Sequence, residues 1–95
     1  MIRRVVRLTL KEDKADDFKA FVTPKVPLIK GFDGCEGLEF LQDTNESNVF
    51  YTISLWQSEE ALNSYRASEL FGTIWPNVKP WFKDKALTYS MNKLI

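Results

Sequence analysis

The run NVFYTISLW, Asn48 to Trp56, constrains the fold more than any other stretch. It is rich in β-branched and aromatic residues and predicts a strand. At the two-residue period of a strand, Val49, Tyr51, Ile53 and Leu55 share one face. Phe50, Thr52, Ser54 and Trp56 share the other. Both faces carry large apolar groups, yet helices on one side of a sheet cover one face only. The uncovered face needs a second layer. A chain of 95 residues is one small domain, here expected over residues 1–95, and buries a modest share of its surface. The simplest second layer is the sheet of another copy, packed face to face about a two-fold axis.

The rest of the chain supplies the remaining elements. Ile2 to Leu10 alternates, with Ile2, Arg4, Val6, Leu8 and Leu10 on one face and Arg3, Val5, Arg7 and Thr9 on the other. Phe18, Phe21, Val22, Val26 and Ile29 fall at helical spacings. Glu12, Asp13, Asp16 and Asp17 lie in the first turns, where the helix dipole favours them. Pro24 and Pro27 are expected to kink or end that helix near Thr23. A short strand over about Leu38 to Gln42, a turn at DTNES, and the central strand follow. Ser58 reads as an N-cap with Glu59 and Glu60 behind it. Ser68 starts a further helix striped by Leu70, Phe71, Ile74 and Trp75, which Pro76 and Pro80 are expected to end. ALTYSMNKLI closes the chain as a strand with Leu87, Tyr89 and Met91 on one face. The order β-α-β-β-α-β predicts an α+β, ferredoxin-like protomer with a four-stranded antiparallel sheet.

Composition narrows the chemistry. Thirteen basic and thirteen acidic residues balance, so there is no basic footprint for nucleic acid. The complete absence of histidine removes Ser-His-Asp and Cys-His nucleophile arrangements and imidazole ligation of metal or haem. The lone cysteine, Cys35, can form neither an intramolecular disulfide nor a zinc framework, and with no activating base it is expected to be inert. Asp13, Asp16 and Asp17 read as a solvated helix start, and no metal site is expected. Aromatic residues make up 14% of the chain, three of them tryptophan, and so many rings call for a large core, an interface or an aromatic-lined cavity. No run approaches the roughly 20 apolar residues of a membrane span, nor the apolar stretch of a signal peptide. A soluble, cytoplasmic protein with neither nucleic-acid nor membrane partners is expected.

The strand ending in Trp56, followed by Ser58, Glu59, Glu60, Ala61, Tyr65, Ser68 and Phe71, resembles the antibiotic biosynthesis monooxygenase superfamily. GFDGCEGLEF resembles the family's entry into its second strand, with Asp33 where proline is common. The resemblance covers nearly the whole chain and implies a dimeric α+β barrel. It also implies one of several activities: oxidation of aromatic, polyketide-like substrates by oxygen without metal or flavin, haem degradation, or isomerisation. Fold alone does not choose among them. The haem-degrading branch uses an asparagine on the first strand, a tryptophan after the third and a histidine ligand on the later helix. Those positions fall on Val6, Trp56 and Trp75. An indole cannot ligate iron, so haem degradation is not expected. An isomerase would lack its usual histidine.

Six residues are candidates for lining a substrate pocket, each with a packing role beside the functional one. Trp56 would wall a space between sheet and helices, or simply pack the core, as buried aromatics usually do. Trp75 would fill the space that haem takes in relatives, shrinking or closing it. Tyr65 would offer its hydroxyl to a substrate, or lay its ring on the helix face. Arg4 would hold an anionic or phenolate group, or stay solvated at the strand end. Thr52 and Ser54, small residues in a central strand, would leave room for a cavity, or for packing against Phe18 or Phe71. Arg7, on the opposite face, is expected to pair with Glu39. No residue is singled out as catalytic. The leading expectation is a cofactor-independent monooxygenase acting on a small hydrophobic or aromatic molecule. The alternative is a non-catalytic dimer that binds a small ligand or regulates a partner.

Overall fold

The computed structural model describes residues 1–95. Strand β1 (Ile2–Thr9) is followed by a 3-10 turn and helix α1 (Ala15–Val22). A second 3-10 turn at Thr23–Lys25 leads into the short helix α2 (Val26–Lys30). Strands β2 (Cys35–Gln42) and β3 (Val49–Trp56) come next, then helices α3 (Glu59–Arg66) and α4 (Glu69–Val78), and finally β4 (Leu87–Asn92). The strands form one antiparallel sheet in the order β2-β3-β1-β4. This is the expected ferredoxin-like α+β architecture, with β1 and β3 at the centre. No helix is long and apolar enough to cross a membrane.

Local chemistry explains most boundaries. The Ser58 hydroxyl accepts from the Ala61 N–H at 3.1 Å and caps α3. The Ser68 hydroxyl accepts from the Phe71 N–H at 3.1 Å and caps α4. It also donates to the Tyr65 carbonyl at 2.5 Å, tying the end of one helix to the start of the next. Asp43 accepts the main-chain N–H groups of Asn45 and Glu46, both at 3.0 Å. These bonds close the β2–β3 turn and hold the Asp43 carboxyl below its ordinary pKa. Gly34 adopts φ +87°, and a Cβ there would lie 2.5 Å from that of Ala61. Only glycine lets this loop pass under α3 into β2.

Three expectations need correcting. Strand β2 begins at Cys35, before the expected Leu38, because a bulge between Cys35 and Gly37 leaves Glu36 unpaired and continues the ladder to Trp56. Pro76 does not end its helix but lies inside α4. Its missing N–H removes the bond to the Gly72 carbonyl, while Ile74 and Val78 on either side of it are fully buried and hold the helix on the core. Arg7 does not meet Glu39, because the register sets Glu39 opposite Ile53 and Arg7 opposite Tyr51. Its guanidinium donates to the Tyr51 hydroxyl at 3.3 Å and lies 3.8 Å from the Glu46 carboxylate.

The register divides the sheet into two faces. The helices cover Ile2, Arg4, Val6 and Leu8 of β1 and Phe50, Thr52, Ser54 and Trp56 of β3, aligned with Leu38 and Phe40 of β2. Under the helices lie two buried clusters. One gathers Leu8, Leu10, Phe18, Val22, Phe50 and Val78. The other gathers Ile29, Trp56, Leu62, Tyr65 and Ile74. The opposite face carries Val5, Tyr51, Ile53 and Leu55, all half-buried, together with Leu87, Tyr89 and Met91, which are exposed.

Candidate functional site

Between the two clusters a cavity of about 400 Å³ lies between the sheet and the helices. That is within the range of small-molecule sites, about 300–1,000 Å³. Its floor follows from the sequence of β3. Phe50 and Trp56 are large and anchor one cluster each, while Thr52 and Ser54 between them are small. The volume that two large residues would have filled stays open. Arg4 and Val6 of β1 stand opposite Ser54 and Thr52, and Thr88 of β4 extends the floor past Val6. The helices add Leu62, Tyr65 and Arg66 from α3, and Phe71, Trp75 and Pro76 from α4.

All six candidate residues, Arg4, Thr52, Ser54, Trp56, Tyr65 and Trp75, line this one cavity. Trp56 is fully buried, stacks on Tyr65 with ring centroids 4.9 Å apart, and donates its Nε1–H to the Ser54 hydroxyl at 3.0 Å. It packs a core cluster and walls the cavity at once, so its two expected roles are compatible. Trp75 does not close the space. Its Nε1–H donates to the Tyr65 hydroxyl at 2.9 Å, which holds the indole in the wall.

Tyr65 is buried among aromatic rings. Trp56 covers one face of its ring, and Phe32 and Phe71 meet it edge-on at 5.5 and 5.4 Å. Burial pushes its pKa up to about 12, against a smaller downward pull from the Trp75 N–H. The phenol is therefore protonated throughout the neutral range. Its oxygen accepts from Trp75, while its own O–H makes no bond within the protein and can donate to a ligand. Arg4 is half-buried and donates to the Ser90 hydroxyl at 3.1 Å. Desolvation, and then the nearby Arg66, lower its pKa. Cys35 lies outside the cavity lining; burial raises its thiol pKa, and its Sγ donates to the Gly37 carbonyl at 3.5 Å.

Reading the sequence alone missed two cations of the lining, Arg66 and Lys79. The signal was present for both. Arg66 stands four residues after Leu62, and Lys79 four after Trp75, so each shares a helical face with a cavity residue. No group of three or more His, Cys, Asp or Glu side chains comes together that could hold a metal ion. The cavity lining contains no His, Cys or Met, and its one tyrosine is held as a phenol. That donor set does not fit a haem iron.

Fold and cavity together define an α+β protein with a largely apolar pocket under its helices. A sequence profile described as antibiotic biosynthesis monooxygenase matches residues 1–75, and the chain belongs to that family. The fold is likewise similar to that of an antibiotic biosynthesis monooxygenase known from its crystal structure. The two share 17% identity over 100% of both chains, with a TM-score of 0.94. A protein of Nitrosomonas europaea provisionally given the same designation aligns at TM-score 0.93 and 16% identity, over 100% of both chains. A conserved protein of Methanosarcina mazei Go1 aligns at TM-score 0.90 and 18% identity, over 97% of this chain and 91% of its own. At such identities the structural likeness speaks for the fold alone. No curated protein matches this sequence.

Proposed function

We propose that this protein is a cofactor-independent monooxygenase acting on a small hydrophobic or aromatic substrate bound beside Trp56 and Tyr65. The observation that carries the reading is the apolar cavity of about 400 Å³ whose buried polar groups are hydroxyls able to donate. Neither carboxylate nor imidazole lines it, so the substrate must bring its own acidic C–H or O–H. Once ionised, it gives an electron-rich carbon that adds oxygen to form a peroxide. Loss of water from the peroxide leaves a carbonyl where a CH₂ stood. One oxygen atom stays in the product and the other leaves as water with the two hydrogens, so no external reductant is consumed. The protein's part is to exclude water and to stabilise the developing anion by the Tyr65 O–H, a pre-positioned donor in a low-dielectric site. The test is oxygen uptake with anthrone-like phenols, comparing the wild type with Trp56→Phe. Turnover by the wild type and its loss in the variant support the reading, and no turnover across a broad phenol panel refutes it.

The absence of a protein base favours a second reading, a small-ligand-binding or regulatory protein without catalysis. Tight binding without oxygen consumption distinguishes it. On either reading, the open sheet face calls for a cover. Val5, Ile53, Leu55, Leu87, Tyr89 and Met91 lie along it, and a second copy of the same sheet buries them most simply. Sedimentation at low concentration tests this homodimer, and a stable monomer refutes it. On the enzyme reading the protein works in the cytoplasm; fractionation of the source cells checks that assignment.

A further inference from the structure

We propose that the ligand of this cavity carries a carboxylate, held by the guanidiniums of Arg4 and Arg66. The inference rests on reading the cavity as a substrate site and adds the chemical class of that substrate.

Eighteen residues line the cavity; among them Arg4, Arg66 and Lys79 are cationic and none is acidic. The whole chain, by contrast, balances its charges at 13 and 13. The protein's two ion pairs, Arg7 with Glu46 and Lys14 with Asp17, both lie elsewhere. Arg4 is half-buried, and its one side-chain partner is the neutral hydroxyl of Ser90. The charged and ionisable groups that act on it are Arg66 and Tyr65, with no carboxylate among them.

A guanidinium withdrawn from water beside a second one is costly unless an anion joins them. Arginine presents five N–H donors in a rigid fork that matches a carboxylate. The Ser90 bond engages one nitrogen of Arg4 and orients the fork, leaving the other donors free. Arg66 reaches the cavity from the last turn of α3, next to Tyr65. The apolar remainder, Trp56, Leu62, Phe71 and Trp75 among it, suits an aromatic or aliphatic body. An amphipathic acid satisfies both parts of the site at once.

Calorimetric titration with 2-naphthoate and with its neutral isostere 2-naphthamide tests this directly. The wild type should bind the acid at least about tenfold more tightly than the amide, since charge-assisted hydrogen bonds are roughly twice as strong as neutral ones. Arg4→Met and Arg66→Met should each reduce that preference to a few-fold, with the larger loss of affinity falling on the acid. Arg4→Lys, a point charge without the fork, should restore it in part. Circular dichroism melts confirm that the variants fold; Arg66 is exposed, so Arg66→Met decides the matter if Arg4→Met does not fold. Equal affinity for acid and amide, or full preference kept in both methionine variants, overturns the proposal. So does failure of both probes to bind. The oxygen-uptake assay separates this result from the catalytic reading. Acid preference without oxygen consumption keeps the carboxylate site and rejects the oxygenase. Oxygen consumption with neutral phenols and no acid preference does the reverse.

Discussion

The buried phenol of Tyr65 ties the stability of this protein to alkaline pH. Its pKa stands near 12 in the folded protein against about 10 in an unfolded chain. The unfolded state therefore loses its proton first. Between those values it binds fewer protons than the folded state, so stability falls as pH rises. Below pH 10 the contribution is fully present; above 12 it is gone. Two units at about 1.4 kcal/mol each give a loss of about 2–3 kcal/mol, of which about half is reached by pH 11. Tyr65→Phe removes this titration. It also removes the acceptor of the Trp75 N–H, which should cost about 1 kcal/mol at neutral pH. Urea unfolding of both proteins from pH 8 to pH 12 isolates the effect, because the lysines and the other tyrosines titrate alike in each. The wild type should be the more stable by about 1 kcal/mol at pH 8, and the two should cross near pH 11. Stability curves that run parallel over the whole range would refute the argument, since they would mean that the phenol ionises as readily in the fold as outside it.

Other perturbations address the frame that holds the site. Ser68→Ala removes the cap of α4 and the tie to the Tyr65 carbonyl together; a loss of about 1–2 kcal/mol in urea unfolding is expected. Gly34→Ala forces a side chain into the left-handed region and against Ala61. It should cost about 2 kcal/mol, and in a double-mutant cycle Ala61→Gly should recover the overlap but not the backbone strain. Thr52→Ile fills the cavity floor while keeping a β-branched residue in β3. It should change stability by less than about 1.5 kcal/mol and yet abolish calorimetric binding of naphthoate.

The fold was legible because each element announced itself locally. The alternation of β1 and β3, and the serines at 58 and 68, act within a few residues and need no tertiary information. Where local rules failed, a tertiary or positional reason overrode them. Pro76 costs α4 one main-chain bond, which the core packing of Ile74 and Val78 around it outweighs, and β2 extends back to Cys35 through a bulge. Arg7 found Tyr51 and Glu46 because register, which no single strand encodes, decides which side chains meet. The site was half legible. Face assignments on β1 and β3 brought Arg4, Thr52, Ser54 and Trp56 forward. The cations at the end of α3 and just past α4 were hidden, since charged residues at helix ends read as dipole partners or solvated tips until the other wall is in view.

The open volume and the stability of so small a domain follow from one arrangement. A cavity in a single core would weaken all the packing around it, because every lining atom loses partners. Here the apolar mass is divided into two clusters, one around Phe18 and Phe50 and the other around Trp56 and Tyr65. Trp75 and Phe21 touch both. The members of each cluster are buried, and the hollow lies over Thr52 and Ser54, where the clusters meet. The polar hydrogens of the walls are used to brace those walls: the Trp56 indole on Ser54 and the Trp75 indole on Tyr65. Those bonds hold both indoles in the walls rather than over the hollow, so the same side chains that pack the two clusters keep the space between them open.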